Sequence, residues 1–202
     1  MSEREDILAR VRRGAKRRAL HPGTHPSPPL AGGWERFAAT LAEVGGEAHG
    51  PFERYVLADA LARLVRRRAE GGRVVAEPSA AELAGRGPWE IAREPAVGHT
   101  FADVAVALVR GRAAAADCAA VAVLDGDAPH RALPFLCQRL VLLLPATDLQ
   151  SDLHAAWAAL PATAWRSHHV TWISGPSKTA DIEQTLVYGA HGPLGLDVVW
   201  VL

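Results

Sequence analysis

Two carboxylates and a histidine lie close together near the end of the chain. Asp181 and Glu183 belong to the segment SGPSKTADIE at residues 174–183, and His191 belongs to GAHGP at residues 189–193. A carboxylate that accepts a hydrogen bond from an imidazole fixes its tautomer and leaves the second ring nitrogen for a substrate. The pattern therefore predicts acid–base catalysis by these residues. A structural alternative stays open, in which Asp181 caps backbone amides and His191 fills a polar niche.

The turn before these carboxylates has the composition of a ligand-binding loop. An apolar run, VTWIS, stops at Gly175-Pro176, and small hydroxyl residues follow. Ligands of parallel α/β sheets bind beyond the carboxyl ends of strands, where glycine lets the backbone approach an anion. Local chemistry alone favours a turn with a helix cap, and the glycine spacing of a P-loop is absent. We nevertheless predict a small anionic metabolite as ligand, bound by Gly175, Ser177, Thr179 and Gly192.

No motif in the sequence identifies a metal or a cofactor. The histidines show no zinc-ligand spacing, and the only two cysteines, Cys118 and Cys137, are far apart in the chain. Neither a Ser-His-Asp order nor a dinucleotide-binding glycine fingerprint occurs. We therefore predict no metal ligands and no cofactor bound through a recognisable motif.

Continuous apolar runs predict the strands that position these residues. The runs are RVVAE (73–77), VAVALV (104–109), AVAVL (120–124), LVLLL (140–144), VTWI (170–173) and VVWVL (198–202). Unbroken runs are typical of strands that are covered on both faces.

Segments with helical spacing of apolar residues lie before and between these runs. They extend from Trp34 to Val44, from Phe52 to Leu64 and from Leu153 to Leu160, and a short helix is expected to open at Ser79. The fold class is therefore predicted as three-layer α/β, with a central, mostly parallel sheet between helices.

The first 32 residues differ in composition from the rest. Residues 2–19 have a narrow apolar stripe on an otherwise basic helix, and residues 21–33 are rich in proline and glycine. We therefore predict a helix and linker at 1–32 and one α/β domain at 33–202. The basic face is interpreted as solvated or oligomer-packing, with an anionic partner surface as the alternative.

Composition excludes several classes of protein. With 49% apolar and 22% charged residues, the chain has the composition of a globular protein. A formal net charge of zero gives no support for nucleic-acid binding. No apolar run is long enough to cross a bilayer, and the charged N-terminus is unlike a secretory signal. We expect a soluble, cytoplasmic protein, with a homo-oligomer as an open alternative.

The two C-terminal segments together resemble a known signature. SGPSKTADIE followed by GAHGP is similar to the C-terminal signature of the lactate-utilisation (LUD) domain family, in its protein C branch. A second family segment, similar to IAETGT, corresponds here to AADCAA at residues 115–120. Asp117 keeps the acid of that segment, whereas Cys118 and Ala119 replace a hydroxyl residue and a glycine. The resemblance adds Asp117 to the expected catalytic residues.

The resemblance also implies a fold and a function. The fold is like that of the sugar-phosphate isomerase and CoA-transferase group. The function is a component of L-lactate utilisation, which oxidises L-lactate to pyruvate together with iron–sulfur proteins. Because a cluster needs about four thiolates, iron–sulfur clusters are expected on the partners only. The alternative is a free-standing enzyme or a ligand-binding module for a small phosphorylated or carboxylated metabolite.

Overall fold

The computed structural model describes residues 3–14, 26, 33–92, 101, 103–127, 131–166, 169–181 and 184–202. Within them the α-helices are α1 (Glu3–Gly14), α2 (Gly33–Glu43), α3 (Arg54–Ala69), α4 (Pro78–Ala84), α5 (Leu133–Leu136) and α6 (Leu153–Ala158). The β-strands are β1 (Glu47–Phe52), β2 (Arg73–Ala76), β3 (Glu90–Ile91), β4 (Val104–Arg110), β5 (Ala113–Ala115), β6 (Ala120–Leu124), β7 (Arg139–Pro145), β8 (Leu149–Gln150), β9 (Val170–Ile173), β10 (Lys178–Thr179), β11 (Val187–Tyr188) and β12 (Gly195–Val201).

A central sheet contains six of these strands, in the order β1-β12-β7-β4-β2-β3. All of its neighbouring strands are parallel. β4, β7 and β12 are almost wholly buried, since their apolar side chains face layers on both sides of the sheet. The predicted α/β class with a central parallel sheet is confirmed.

A second sheet contains four strands, in the order β8-β5-β6-β9. β6 pairs antiparallel with both β5 and β9, whereas β5 and β8 are parallel. The predicted strands AVAVL and VTWI exist, but they belong to this sheet and lie outside the parallel one. Apolar continuity could not distinguish the two sheets, because the second sheet also packs against apolar residues on both faces.

Separate apolar cores cover the two faces of the central sheet. On one face, α3 packs against it through residues such as Leu57 and Leu61, and α4 packs through alanines such as Ala80. On the other face, Phe37 and Leu41 of α2 share a core with the second sheet. α6 packs on the far side of the second sheet. The central sheet is therefore covered on both faces as predicted, but one cover includes a sheet as well as a helix.

The sequence patterns missed one strand and misplaced the start of one helix. The strand β1 was not predicted, because EAHGPF lies at the edge of the sheet, is only partly buried and has no continuous apolar pattern. The helix α4 begins at Pro78, with Glu77 at the N-cap position, so Ser79 does not open it. The Ser79 hydroxyl instead donates to Oε1 of Glu77 at 2.7 Å.

The N-terminal helix is described over Glu3–Gly14, within the predicted span of 2–19. Its apolar residues Ile7 and Val11 are exposed. Residues 15–32, apart from Pro26, lie outside the described residues, so the domain boundary at residue 32 stays a prediction. In the part of the chain that the structure describes, no helix combines the length and the apolar character needed to cross a membrane.

Candidate functional site

The two C-terminal segments of the predicted site are held against each other by hydrogen bonds. The Ser177 amide donates to the Pro193 carbonyl at 2.9 Å, and the Gly189 amide donates to the Ser177 carbonyl at 3.0 Å. The His191 amide donates to the Ser177 hydroxyl at 3.4 Å. Ser177 therefore fixes the loop that carries His191.

The backbone of the turn requires glycine at position 175. Gly175 has a φ of +101°, and a Cβ placed there would lie 3.1 Å from Cγ2 of Val44. At Gly192, by contrast, an added Cβ would lie 3.4 Å from the Ser177 Cβ, which is ordinary contact. Gly175 is thus needed for the path of the chain past the end of α2.

An open cavity of about 230 Å³ lies beside these segments. Much of its wall is apolar and includes Phe135 and Ile173, while Thr171 and Ser174 add hydroxyl groups. Apolar cavities with a few convergent polar groups are typical small-molecule sites. The predicted site residues that line the cavity are Gly175, Ser177, His191 and Gly192.

The other C-terminal site residues lie in or near a hairpin that adjoins the cavity. β10 and β11 pair antiparallel, with Thr179 opposite Val187. Asp181 is exposed in the segment that connects these strands. Neither Thr179 nor Asp181 is among the described residues that line the cavity. Glu183 lies outside the described residues, so its role stays a prediction.

The turn that contains Asp117 contacts the same region from the second sheet. The Ser174 hydroxyl, just after β9, donates to the Cys118 carbonyl at 2.5 Å. Asp117 itself is exposed and does not belong to the described lining of the cavity. Ala119 has a φ of +50°, in the region that favours glycine. Ala119 therefore has a left-handed backbone at the position where the resemblance expects glycine.

The prediction of an anion at the Gly175 turn requires VTWIS to be a strand of the parallel sheet. In the structure this strand, β9, belongs to the second sheet. The cavity is instead lined by Leu140 and Leu196, near the amino ends of β7 and β12. The Ser177 amide is also engaged with Pro193. Polar contacts to a ligand must therefore come mainly from hydroxyl groups and from His191.

Neither cysteine has the properties of an activated nucleophile. Both thiols are free. Burial raises the pKa of Cys118 above its ordinary value and raises the pKa of Cys137 to about 12. The thiolate, which is the reactive form, is therefore disfavoured at both positions.

Polar residues that the sequence analysis missed lie at the carboxyl end of the central sheet. Glu77 directly follows β2 and is fully buried. Its Oε1 accepts from the Ser79 hydroxyl and from the Arg110 amide, each at 2.7 Å. Its Oε2 is buried and has no hydrogen-bond partner among the described residues. Burial raises the pKa of Glu77 to about 7, although the bonds from Arg110 and Ser79 act to lower it.

Two arginines lie beside Glu77, at the end of β4. Arg112 donates from Nε and Nη2 to the two oxygens of Asp127, each at 2.6 Å. Arg110 has a buried Nε without a partner in the described part of the chain. Together with Thr147, which follows β7, it lines a cavity of about 370 Å³. This edge of the sheet is therefore charged and incompletely hydrogen-bonded.

A sequence signal could have identified these residues. Glu77 follows the apolar run RVVA, Arg110 follows VAVALV, and Thr147 comes shortly after LVLLL. Because the carboxyl ends of parallel strands meet at one edge of a sheet, the first polar residue after each run is a candidate for ligand binding. A ligand site was predicted in this way only after VTWIS, which is not a strand of the parallel sheet.

A second buried carboxylate, Asp197 on β12, lies near the amino end of the central sheet. It contacts His49 at 2.7 Å, Arg68 at 2.8 Å and Arg139 at 3.2 Å. Burial alone would raise its pKa, but hydrogen bonds from His49 and Arg68 and the charges of Arg139 and Arg68 outweigh burial. The pKa of Asp197 therefore lies below its ordinary value.

This cluster also has the spacing of a metal site. Glu47, His49 and Asp197 offer ligand atoms that lie within 4.8 Å of one another. However, the guanidinium groups of Arg68 and Arg139 each contact both carboxylates. A metal cation would be repelled by these two positive charges. The cluster is therefore an ion-pair network that joins β1, α3, β7 and β12.

Comparison with known proteins identifies the family. The family model described as LUD domain matches residues 80–201, which is more than half of the chain. The chain belongs to the LUD domain family. The matched region contains Arg110, Asp117 and both C-terminal segments, whereas Glu77 lies just before its start.

Curated relatives of this LUD protein align over part of their length. The chain is 31% identical over 110 residues to lactate utilization protein C of Deinococcus radiodurans, an alignment that covers 54% of this chain and 52% of the relative. It is 28% identical over 115 residues to lactate utilization protein C of a Geobacillus species, covering 55% and 44%. It is 62% identical over 34 residues to an uncharacterized protein of Neisseria meningitidis serogroup B, covering 17% and 15%. The chain thus matches about half, or less, of each relative's length.

A solved structure has a similar fold. A DUF162 family protein from Deinococcus radiodurans superposes with a TM-score of 0.64, covering 83% of this chain and 95% of that chain. The sequences are 17% identical. At this identity the likeness supports the fold of the LUD protein alone.

Proposed function

We propose that this chain is a component of L-lactate utilisation, acting with iron–sulfur proteins that oxidise L-lactate to pyruvate. The observation that carries the proposal is the joining of the two LUD segments at one cavity, where Ser177 holds the His191 loop. The relatives named lactate utilization protein C support the same role, although they match over only about half of their length.

The electrons and the protons that L-lactate loses are assigned to different proteins. Conversion of L-lactate to pyruvate removes a pair of electrons and a pair of protons. The sequence has two cysteines, whereas a cluster is held by about four thiolates. We therefore assign the electrons to clusters on partner proteins and the binding and proton transfer to this chain.

His191 is the proposed proton carrier. Imidazole is the side chain best suited to proton transfer near neutral pH, and His191 lines a cavity large enough for a three-carbon acid. Ser177 positions its loop, Gly175 and Gly192 shape the ligand-binding side, and Thr179 supports that side from the adjoining hairpin. Asp181 and Glu183, together with Asp117 from the second sheet, complete the proposed catalytic set.

Growth on L-lactate tests this proposal. His191→Gln and Asp181→Asn are introduced into the chromosomal gene of the source organism. We expect loss of growth on L-lactate and normal growth on pyruvate, because pyruvate enters metabolism after the proposed step. The purified variants should melt within a few degrees of the wild type, since both side chains are exposed.

A matched control shows whether a growth defect comes from His191 itself or from the loss of any exposed histidine. His154→Gln changes an exposed histidine of α6, away from the cavity lining, and should leave growth on L-lactate unchanged. Normal growth of the His191 and Asp181 variants on L-lactate would contradict the residue assignment. Equal defects on L-lactate and pyruvate would contradict a role in lactate oxidation.

Metal analysis tests the proposal that the iron–sulfur clusters reside on partner proteins. An affinity-tagged chain is purified from cells grown on L-lactate, and iron and acid-labile sulfide are determined in the product. We expect both to accompany the complex and to separate from this chain in high salt or denaturant. Iron and sulfide that remain on the isolated chain would show that the clusters do not reside on partners.

A further inference from the structure

Glu77 and Arg110 form an incompletely satisfied pair on neighbouring parallel strands. The Arg110 amide donates to Oε1 of Glu77 at 2.7 Å. Oε2 of Glu77 and Nε of Arg110 are both buried and have no partner in the described chain. Native proteins rarely leave such groups unpaired, because a buried polar group without a hydrogen bond lowers stability. Both residues also lie at the carboxyl end of a parallel sheet, where α/β proteins bind ligands.

The cavity of about 370 Å³ beside Arg110 has the chemistry of an anion site. Its charged lining residues are Arg110, Arg54 and Glu82, and Thr147 supplies a hydroxyl group. Apolar walls come from α4 and β12. The Nε and Nη groups of an arginine form a planar fork that matches both oxygens of a carboxylate. Two arginines supply cationic partners for an anionic group, while Glu82 and the nearby Asp148 limit the negative charge that the cavity favours.

We propose that this cavity is a second ligand site, independent of the proposed lactate-utilisation role of the C-terminal segments, and that it binds a small monocarboxylate. Arg110 binds the carboxylate through its terminal Nη groups, since its Nε is buried, and Thr147 donates a hydroxyl hydrogen bond. Glu77 is a positioning residue, because its Oε1 holds the Arg110 amide at the end of β4. A doubly charged phosphate fits less well, since Glu82 and Asp148 lie near the same arginine.

Glu77 also makes this binding depend on pH. Its pKa of about 7 means that the carboxyl group is largely neutral below neutral pH and ionised above it. The groups that face it are Ser79 from α4, the Arg110 amide from β4, and Arg112 with Asp127 from the segments beyond β4 and β6. An ionised Glu77, which contacts the Arg110 amide, adds negative charge next to the end of β4 and opposes an incoming anion. Affinity should therefore fall roughly threefold to tenfold between about pH 6 and about pH 8.5.

Isothermal titration calorimetry on the full chain tests the site, with L-lactate, acetate and inorganic phosphate as probes. We expect the two carboxylates to bind and Arg110→Gln to weaken them at least about tenfold, through loss of the charged fork. Arg110→Lys keeps the charge without the fork and should give a smaller loss. Arg63→Gln removes an exposed arginine elsewhere on α3 and should leave the affinity unchanged.

The His191→Gln variant distinguishes this site from the C-terminal cavity. Because L-lactate is also the ligand proposed for the C-terminal cavity, acetate is the probe that separates the two sites, and its affinity should depend on Arg110 and not on His191. If His191→Gln abolishes acetate binding and Arg110→Gln does not, acetate occupies the C-terminal cavity and the proposal is wrong. Absence of carboxylate binding, or tighter binding of phosphate, also overturns it. If Arg110→Gln fails to fold, Arg110→Lys and Thr147→Val decide the question by the same measurement.

The role of Glu77 is tested by the pH profile of L-lactate binding. Glu77→Gln keeps the acceptor for the Arg110 amide and cannot ionise, so it should bind at all pH values as the wild type does near pH 6. Burial raises the pKa of Asp148, which lies near Arg110 and Arg112, so Asp148→Asn serves as the control and should retain the wild-type profile. A Glu77→Gln profile parallel to that of the wild type rejects Glu77 as the source of the pH dependence.

Discussion

Glu77 and Asp197 are two fully buried carboxylates near opposite ends of the same sheet, and their surroundings differ. Asp197 contacts His49, Arg68 and Arg139. Glu77 contacts one hydroxyl and one backbone amide through a single oxygen, and its other oxygen has no partner in the described residues. The pKa of Asp197 is lowered because its partners outweigh burial, whereas burial dominates at Glu77 and raises its pKa to about 7.

The difference shows that burial alone does not reveal what a charged residue does. Asp197 is compensated by two arginines and a histidine from three other elements, so its charge helps to hold those elements together. Glu77 lacks such compensation, and an uncompensated buried group lowers stability. Uncompensated groups with shifted pKa values are concentrated at functional sites. The carboxyl end of the sheet is therefore a stronger ligand-site candidate than the amino-end network.

Asp197→Asn should give the largest loss of stability. Removing the anion leaves the Arg68 and Arg139 guanidinium groups with only the exposed Glu47 as a shared partner, so the free energy of unfolding should fall by about 3–5 kcal/mol. Glu77→Gln, the matched change at the other end, should not lower the free energy of unfolding at pH 7, because glutamine keeps the acceptor for the Arg110 amide and cannot ionise in its buried position. Urea denaturation measures both, and equal losses would contradict the distinction.

The contributions of the two carboxyl groups to the free energy of unfolding should change with pH in opposite directions. The folded pKa of Glu77, about 7, lies above its ordinary value of 4.5. Its contribution is therefore fully present below about pH 4.5 and is lost as pH rises through 7, by about 3 kcal/mol in total. Glu77→Gln should remove this decline and be the more stable protein at about pH 9. Unfolding curves of the variant that parallel the wild type from pH 5 to 9 would disprove the shift.

Asp197 should behave in the opposite way in acid. Its folded pKa is lowered, so its contribution is present above the unfolded value and is lost as pH falls through the folded one. Below about pH 4 the wild type and Asp197→Asn should therefore converge in stability. A gap between the two proteins that persists undiminished at about pH 2 would show that the ion pairs are not its cause.

Paired arginine-to-lysine changes should give the smallest effects. Arg68 donates from Nε and Nη2 to Oδ1 of Asp197, at 3.2 and 2.8 Å. Lysine keeps the charge but loses this fork, so Arg68→Lys should cost about 1–2 kcal/mol. Arg110→Lys should change the free energy of unfolding by less than about 0.5 kcal/mol, because its Nε has no described partner to lose. A larger loss at Arg110 than at Arg68 would reverse the interpretation of the two ends.

Local patterns in the chain were sufficient for most of the central sheet. VAVALV, LVLLL and VVWVL are strands because side chains on both of their faces are buried, and burial on both faces requires an unbroken apolar run. The same reasoning could not assign strands to sheets, since AVAVL and VTWI have equally apolar runs in the second sheet. It also missed β1, whose edge position allows polar and turn-forming residues.

The candidate site, like the fold, could be predicted only in part from the sequence. The order of residues in SGPSKTADIE and GAHGP was enough to identify the family and to predict that Ser177 and His191 belong together. Which carboxylates are compensated depends on contacts that no local pattern contains. His49 and Asp197 are 148 positions apart, and Glu77 and Arg110 are 33 apart. Such pairs form only when strands from distant parts of the chain align in one sheet, because hydrogen bonds and ion pairs act over a few ångströms of space whatever the distance along the sequence.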